Sequence, residues 1–121
     1  MIVLDASALL AFLQGEPGAD IVEHALEAGA FVGAANWSET AQKVIARDGD
    51  WELARALIQS YGTDIEPVTG TDAETAATLW RPGSGLSLAD RLCLALGSRL
   101  DSEVLTADTA WAGEPGVRLI R

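Results

Sequence analysis

The sequence predicts an α/β fold in which a mostly parallel β-sheet carries helices on both faces. Short apolar runs, several of them β-branched, alternate along the chain with longer segments whose apolar residues recur at helical spacing. Parallel neighbouring strands need crossover connections of this length, whereas antiparallel strands can be joined by tight turns. The length of 121 residues and the hydrophobic content of 49% suit one globular domain, residues 1–121, with a packed core.

The first half of the chain begins with a short buried strand at 2–5. Ser7 is a suitable cap for a helix that runs to about Leu13, because Gly15 and Pro17 stop helices. The other elements of this half have clear helix or strand periodicity: a helix from Gly18 to Glu27, a strand at 30–34, a helix capped by Asn36 and ended by Gly49, a helix started by Asp50 with an inner face of Trp51, Leu53, Ala54, Leu57 and Ile58, and a strand at 64–68.

The second half continues the same alternation of element types. Its elements, in order, are a short helix opened by Thr71 and Asp72 that extends to about Trp80, a breaker-rich loop at 81–85, a strongly helical segment from Ser87, a strand in "EVLTAD" with Asp108 just past its end, and a final strand at 117–120.

The charge balance argues against a simple DNA-binding module. Eight basic and 18 acidic residues leave a net charge of −10, which repels a polyanion unless metal ions or a local basic strip intervene. The basic residues are spread from Lys43 to Arg121 without forming a cluster. Any role with nucleic acid must therefore overcome this repulsion.

The apolar segments and the single cysteine indicate where in the cell the protein is expected to be. No apolar run approaches the roughly 20 residues that span a bilayer. The first apolar stretch has no basic segment before it and is interrupted by Asp5, which argues against a secretory signal. We therefore expect a cytoplasmic protein with no membrane segment. Cys93 is the only cysteine, so an internal disulfide is excluded, and we expect a small buried hydrophobe there.

Four carboxylates are placed where they could meet at one edge of the predicted sheet. Asp5 and Asp108 each follow a short apolar run, and sites in open α/β sheets form beyond the carboxyl ends of the strands. Glu39 and Asp90 lie in the first turns of helices whose N-termini approach the same edge. Two such charges about 4 Å apart repel by about 4 kcal/mol at an effective dielectric near 20, so the cluster calls for a cation. Oxygen ligands favour Mg²⁺ or Mn²⁺, and one His with one Cys makes no zinc set.

Each acid also has a purely local interpretation. Asp5 could cap a helix, and Asp108 could be an ordinary turn or cap residue. Glu39 follows a possible capping asparagine by three residues and could form an ion pair with Lys43, four residues later. Asp90 stands three residues after a serine, which is the spacing of a capping box. Its position on the helical wheel beside apolar residues favours partial burial. Capping alone would not predict convergence on one edge.

The segments around the acids resemble a known family. They are "VLDASALLAF" with Asp5, "NWSE" with Glu39, "GLSLADRLCLALG" with Asp90, and "VLTADTAW" with Asp108. Together, and over nearly the whole chain, they resemble the PIN-domain ribonucleases, most closely the VapC-type toxins of bacterial toxin–antitoxin pairs. The resemblance implies a three-layer α/β fold whose five-stranded sheet has the order 3-2-1-4-5.

The resemblance also implies an activity. A protein similar to this family would be an endoribonuclease that cleaves single-stranded regions of structured RNA. Asp5, Glu39, Asp90 and Asp108 would hold Mg²⁺ or Mn²⁺, which would activate a water for in-line attack and neutralise charge on the phosphate.

Further residues and partners follow from the same resemblance. Ser7 and Thr106 would orient the acids by hydrogen bonding to them. The family implies a homodimer and an antitoxin whose C-terminal segment covers the acidic site. Arg81 and Arg91 are guesses for RNA contact, and the four tryptophans suit core or dimer packing better than base stacking.

Other classes remain open at this point. A haloacid-dehalogenase-type phosphatase also begins with a strand ending in an aspartate, but it needs a second aspartate at the position of Ser7. A phosphoacceptor receiver domain needs an early acidic pair that this N-terminus lacks. A non-catalytic interaction module would be free to lose any of the four acids, and a stand-alone PIN nuclease would keep them without an antitoxin.

Overall fold

The structure, a computed structural model, describes all 121 residues from Met1 to Arg121. Five parallel strands form one sheet in the order β3-β2-β1-β4-β5, which confirms the order 3-2-1-4-5. The strands are β1 (Ile2–Leu4), β2 (Ala30–Gly33), β3 (Asp64–Glu66), β4 (Glu103–Thr106) and β5 (Val117–Leu119). Each is shorter than the segment predicted for it, because the residues at the carboxyl ends leave the sheet to start the connections.

Six α-helices and one 3₁₀ turn connect the strands. The helices are α1 (Ala6–Gln14), α2 (Ala19–Ala28), α3 (Ala34–Ala46), α4 (Trp51–Ser60), α5 (Gly70–Thr78) and α6 (Leu88–Arg99), and the 3₁₀ turn is Thr109–Trp111. None of these helices combines the length and the apolar character needed to cross a membrane.

Helices cover both faces of the sheet, as the alternation of elements predicts. Successive residues of a strand point to opposite faces. Leu4 accordingly packs into a twelve-residue core with α1, α2 and α4, whereas Val3 packs into a seven-residue core with α6. The same division separates Leu105 from Val104 on the neighbouring strand. The sheet is therefore buried on both sides, and only its edges are available for a site.

Three helices begin at residues other than those predicted. The carboxylate of Asp5 caps α1 by accepting from Ala8 N, so Ser7 lies inside the helix and does not cap it. Helix α3 begins directly after Gly33, which places Asn36 in its first turn. Helix α5 is capped by Thr69 in a capping box with Asp72, and it ends before Trp80. In all three cases the strand or loop ends earlier than the local sequence suggested.

The predicted inner face of α4 is only partly buried. Ile58 is fully enclosed in the core, but Leu53 is 68% exposed and Leu57 is 44% exposed. This helix packs on α3 and enters the core through Ile58, so only one side of its apolar face meets a neighbour. The uncovered part lines an apolar groove together with Leu13 and Val44.

Candidate active site

The two central strands bring Asp5 and Asp108 to the same edge of the sheet. Strands β1 and β4 pair in parallel with Leu4 opposite Leu105, and Asp5 N donates to the carbonyl of Leu105 at 3.2 Å. Asp5 directly follows β1, and Asp108 lies two residues past the end of β4. The predicted adjacency of these strand ends is confirmed.

The Asp5 carboxylate is buried and held by three donors. Its exposed fraction is 3%. Oδ1 accepts from Ala8 N at 2.8 Å and from Ser7 Oγ at 2.8 Å, and Oδ2 accepts from Thr106 Oγ1 at 2.7 Å. These bonds fix both the position and the rotation of the carboxylate before any ligand arrives.

The two hydroxyls have their remaining capacity occupied by backbone groups. Ser7 Oγ accepts from Ala107 N at 2.9 Å, and Thr106 Oγ1 accepts from Asp108 N at 3.0 Å. Because each hydroxyl has only one proton, an accepted backbone bond leaves that proton free to point at Asp5. The pair therefore joins the start of α1 to the turn after β4 and orients Asp5 and Asp108 together.

Burial dominates the protonation of Asp5. It raises the pKa of this carboxyl from 3.8 to about 6, although the hydrogen bonds from Thr106, Ala8 and Ser7 lower it and the charge of Asp90 raises it slightly further. A buried carboxylate with a raised pKa is a frequent property of functional sites.

Asp90 faces the same edge from the first turn of α6. It is half-buried and completes a capping box, since Oδ2 accepts from Ser87 N at 2.9 Å while Asp90 N donates to Ser87 Oγ. Burial raises its pKa, the Ser87 bonds oppose this, and the charges of Glu39 and Asp108 raise it further. Asp90 is thus close enough to the other acids to interact electrostatically with all three of them. Its Oδ1 forms no hydrogen bond within the chain.

Asp108 is exposed, and Glu39 is partly buried like Asp90. Glu39 Oε2 forms an ion pair with Lys43 Nζ at 3.1 Å, and Asp108 Oδ1 accepts from Ala110 N at 2.9 Å at the start of the 3₁₀ turn. The cap interpretations of Asp5, Asp90 and Asp108 are therefore realised. For Glu39 only the ion pair is realised, because Asn36 does not cap α3. These local contacts do not exclude chemistry, because Glu39 and Asp108 each retain one oxygen without a partner in the chain.

The carboxylates at this edge suit a divalent metal that is held by few protein ligands. No three Asp, Glu, His or Cys side chains lie in position to hold one ion together. The donors around the edge are carboxylate oxygens that raise one another's pKa, which is the chemistry that a hard cation relieves. Mg²⁺ keeps several waters and is commonly bound through only one or two carboxylates, so the site fits Mg²⁺ or Mn²⁺ without a complete protein cage.

The side-chain contacts of two arginines and two tryptophans bear on their expected roles, and RNA contact by the arginines stays a prediction. Arg91 Nη1 donates to the carbonyl of Ala76 at 2.9 Å, so its guanidinium helps to pack α5 on α6, and Arg81 forms an ion pair with Glu114. Trp111 is fully buried, which agrees with core packing, whereas Trp80 is 60% exposed, so dimer packing stays the prediction for it. The arginine partners and the tryptophan exposures could not be inferred from sequence spacing, because they depend on which elements pack next to each side chain in the fold.

Removing the Thr106 hydroxyl provides a test of how Asp5 is oriented. Thr106→Val keeps the shape but deletes the donor to Oδ2 and the acceptor for Asp108 N. We expect Mn²⁺ affinity, measured by calorimetry, to fall roughly 10-fold or more. Thr63→Val is the matched control, because Thr63 Oγ1 is also buried and donates to the carbonyl of Ile58 far from the acids. Equal affinities for the two variants would contradict the orienting role.

The fold and the positions of these acids define the class of protein. A sequence profile described as the PIN domain matches residues 2–113, so the chain belongs to the PIN-domain family. This membership separates it from the phosphatase and receiver classes. No match to the sequence is found among the curated proteins.

Solved structures of toxin proteins have the same fold. A toxin–antitoxin complex from Klebsiella pneumoniae matches with a TM-score of 0.78 at 23% identity and covers 100% of this chain and 98% of that one. VapC20 of Mycobacterium tuberculosis, described as a toxin that cleaves the sarcin–ricin loop, matches at 0.71 with 21% identity over 98% and 99%. FitAcB from Neisseria gonorrhoeae matches at 0.71 with 19% identity over 100% and 97%.

Proposed function

We propose that this chain is a Mg²⁺- or Mn²⁺-dependent endoribonuclease that cleaves single-stranded regions of structured RNA and acts as the toxin of a toxin–antitoxin pair. The observation that carries the proposal is the placement of Asp5 and Asp108 just past the ends of neighbouring strands. Glu39 and Asp108 are also close enough to Asp90 for their charges to raise its pKa. The similarity in fold to a toxin described as cleaving the sarcin–ricin loop supports the choice of RNA.

In this proposal one or two of the four acids hold the metal directly, the others act through its bound waters, and the hydroxyls hold Asp5. Asp5, Glu39, Asp90 and Asp108 would be the catalytic and metal-holding residues, and Ser7 and Thr106 would keep Asp5 in one orientation. A bound divalent ion would lower the pKa of a water and neutralise charge on the scissile phosphate. The chain itself contributes a buried, preoriented carboxylate at Asp5 and less buried ones at the rim, where a phosphodiester can approach.

The activity is tested by incubating the purified chain with structured RNAs and Mg²⁺ or Mn²⁺. We expect cleavage within single-stranded loops and complete loss of cleavage in EDTA, with recovery when excess metal is restored. Cleavage that persists in EDTA would contradict the metal-dependent mechanism.

An antitoxin partner, a homodimeric assembly and a cytoplasmic location belong to the same proposal. The net charge of −10 favours a partner with basic segments. The alternative is a stand-alone PIN nuclease of RNA processing. The two are distinguished by the neighbouring gene, since a short adjacent reading frame that encodes a DNA-binding protein favours the pair and its absence favours the stand-alone enzyme.

The apolar groove beside α4 supports a peptide partner. It has a volume of about 430 Å³ and runs between α4, the end of α1 and the C-terminal part of α3. Glu39 lies five residues before Val44 on α3, which corresponds to roughly 7.5 Å along a helix. An antitoxin segment with apolar residues in the groove and a basic side chain beyond it would therefore reach the acidic edge.

We expect Leu53→Asp to weaken binding of the antitoxin from the adjacent gene by at least about 10-fold, since a charge would be desolvated in the groove. Leu53 is 68% exposed, so the thermal stability of the free chain should not fall. Val68→Asp is the control, because Val68 is 45% exposed and does not line the groove. Equal binding by the two variants, measured by calorimetry, would place the antitoxin elsewhere.

A further inference from the structure

Asn36 connects the two helices that carry Glu39 and Asp90. It is the third residue of α3, its exposed fraction is 1%, and its Nδ2 donates to the carbonyl of Ala89 at 3.3 Å. Ala89 directly precedes Asp90 in the first turn of α6, and Asn36 precedes Glu39 by three residues, so both lie within one turn of an acid. The amide is therefore a cross-link between the two turns from which the carboxylates project.

The surroundings hold this side chain in one position. A Cβ at Gly33 would lie 3.2 Å from Asn36 Oδ1 and 3.3 Å from Leu96 Cδ2, so the absence of a side chain there leaves room for the amide. The φ of Gly33 is −71°, which any residue can adopt, and the requirement is therefore one of space. Thr40 Oγ1 donates to the carbonyl of Asn36 at 2.7 Å, which fixes the backbone below it.

Stability does not account for an asparagine at this position. Its Oδ1 is buried and has no hydrogen-bond partner, and a buried polar atom of this kind destabilises a fold. A leucine of similar size would avoid that penalty. The carbonyl of Ala89 lies in the first turn of α6, where the backbone N–H of Cys93, four residues later, donates to it, so it does not depend on Asn36 for a partner. The feature that only an amide provides is the directional bond to the turn of Asp90.

We infer that Asn36 is a positioning residue that sets the separation of Glu39 and Asp90 by docking the first turn of α3 on the first turn of α6. The inference rests on the proposed function, since it concerns the same metal-holding edge. Asn36 contacts neither carboxylate directly, and it acts through the backbone of the two helices.

The test is the Asn36→Leu variant, examined for both metal binding and cleavage. We expect the affinity for Mn²⁺, measured by calorimetry well below the unfolding temperature, to fall roughly 10-fold or more. The kcat for RNA cleavage should fall with it, while KM changes less, because the substrate surface is untouched. Val22→Ala is the control for general destabilisation, since Val22 is fully buried on α2 away from the α3–α6 contact. It should lower the melting temperature and leave the Mn²⁺ affinity unchanged.

Gly33→Ala reaches the same contact from the other side without deleting the amide. The added methyl must displace Asn36 Oδ1 or Leu96 by a few tenths of an ångström, and we expect a smaller loss of Mn²⁺ affinity in the same direction. This variant decides the matter if Asn36→Leu fails to fold, and unchanged affinity in it would then overturn the inference.

The possible failures are distinguishable. Wild-type protein that binds Mn²⁺ and cleaves RNA, together with Asn36→Leu that matches it in both, overturns the positioning role alone. An equal loss of affinity in Val22→Ala also overturns it, because the effect would then follow from stability. Wild-type protein that neither binds Mn²⁺ nor cleaves RNA overturns the proposed function and this inference with it.

Discussion

Asp5→Asn should reduce RNA cleavage by at least about 1000-fold while the chain stays folded. Asparagine keeps an oxygen that can accept from Ala8 N, so the cap of α1 survives, but it removes the buried charge. A loss of this size corresponds to roughly 4 kcal/mol of transition-state stabilisation, which is the scale expected when a metal-holding carboxylate is lost. The measurement is kcat/KM on a structured RNA at saturating Mg²⁺, together with a thermal melt.

A second capping aspartate in the chain separates the effect of losing a helix cap from the effect of losing a carboxylate at the candidate site. Asp90 and Asp72 are both the third residue of a helix, and both complete a capping box, with Ser87 and Thr69 respectively. Asp72 lies away from the acidic edge and pairs with Arg99 at 2.9 Å. We expect Asp90→Asn to lose cleavage as Asp5→Asn does, and Asp72→Asn to lose stability but keep cleavage. Equal losses of cleavage would show that the caps, and not the charges, matter.

Much of the candidate site could be predicted because its acids follow from strand ends and helix starts. A carboxylate directly after an apolar run, as at Asp5 and Asp108, is visible in a single sequence, and parallel topology then brings such ends to one edge. Asp90 was located by its helical-wheel position, and its partial burial is confirmed. Whether the four acids hold a metal remains a proposal.

The interpretation of Asn36 was wrong for an instructive reason. Asparagine before a helical segment is a standard cap signal, and nothing local indicates that α3 starts three residues earlier, with Gly33 at the cap position. Helix α3 begins directly after Gly33, which offers no side-chain cap, and a Cβ there would crowd Asn36 Oδ1 at 3.2 Å and Leu96 Cδ2 of α6 at 3.3 Å. That approach is a tertiary contact with residues more than fifty positions away, and one sequence does not reveal it. The same limit applies to Leu53 and Leu57, whose periodicity predicts a buried face without saying how much of it is covered.

The stability of the chain in EDTA should fall as pH rises from about 4 to about 7, and Asp5 should be responsible for much of the fall. The pKa of Asp5 is about 6 in the folded chain, against 3.8 when it is not perturbed by the fold. Below both values the two states are protonated and Asp5 has no effect. Between them the unfolded chain releases its proton first, so the folded state binds more protons and loses stability as pH rises. Above about pH 7 the loss is complete, at roughly 3 kcal/mol or about 10 °C in melting temperature.

The comparison with Asp5→Asn isolates this contribution from those of the other 17 acidic residues. The variant has no carboxyl to titrate, so the melting temperature of wild type relative to the variant should drop between about pH 4 and about pH 7. Mg²⁺ or Mn²⁺ should reverse the trend, since binding requires the deprotonated acids and therefore strengthens with pH. At about 100 times its Kd, an ion that binds only the folded state adds roughly 2.7 kcal/mol, close to what the buried charge removes. Parallel pH profiles for the two proteins in EDTA would show that Asp5 does not titrate as its burial requires.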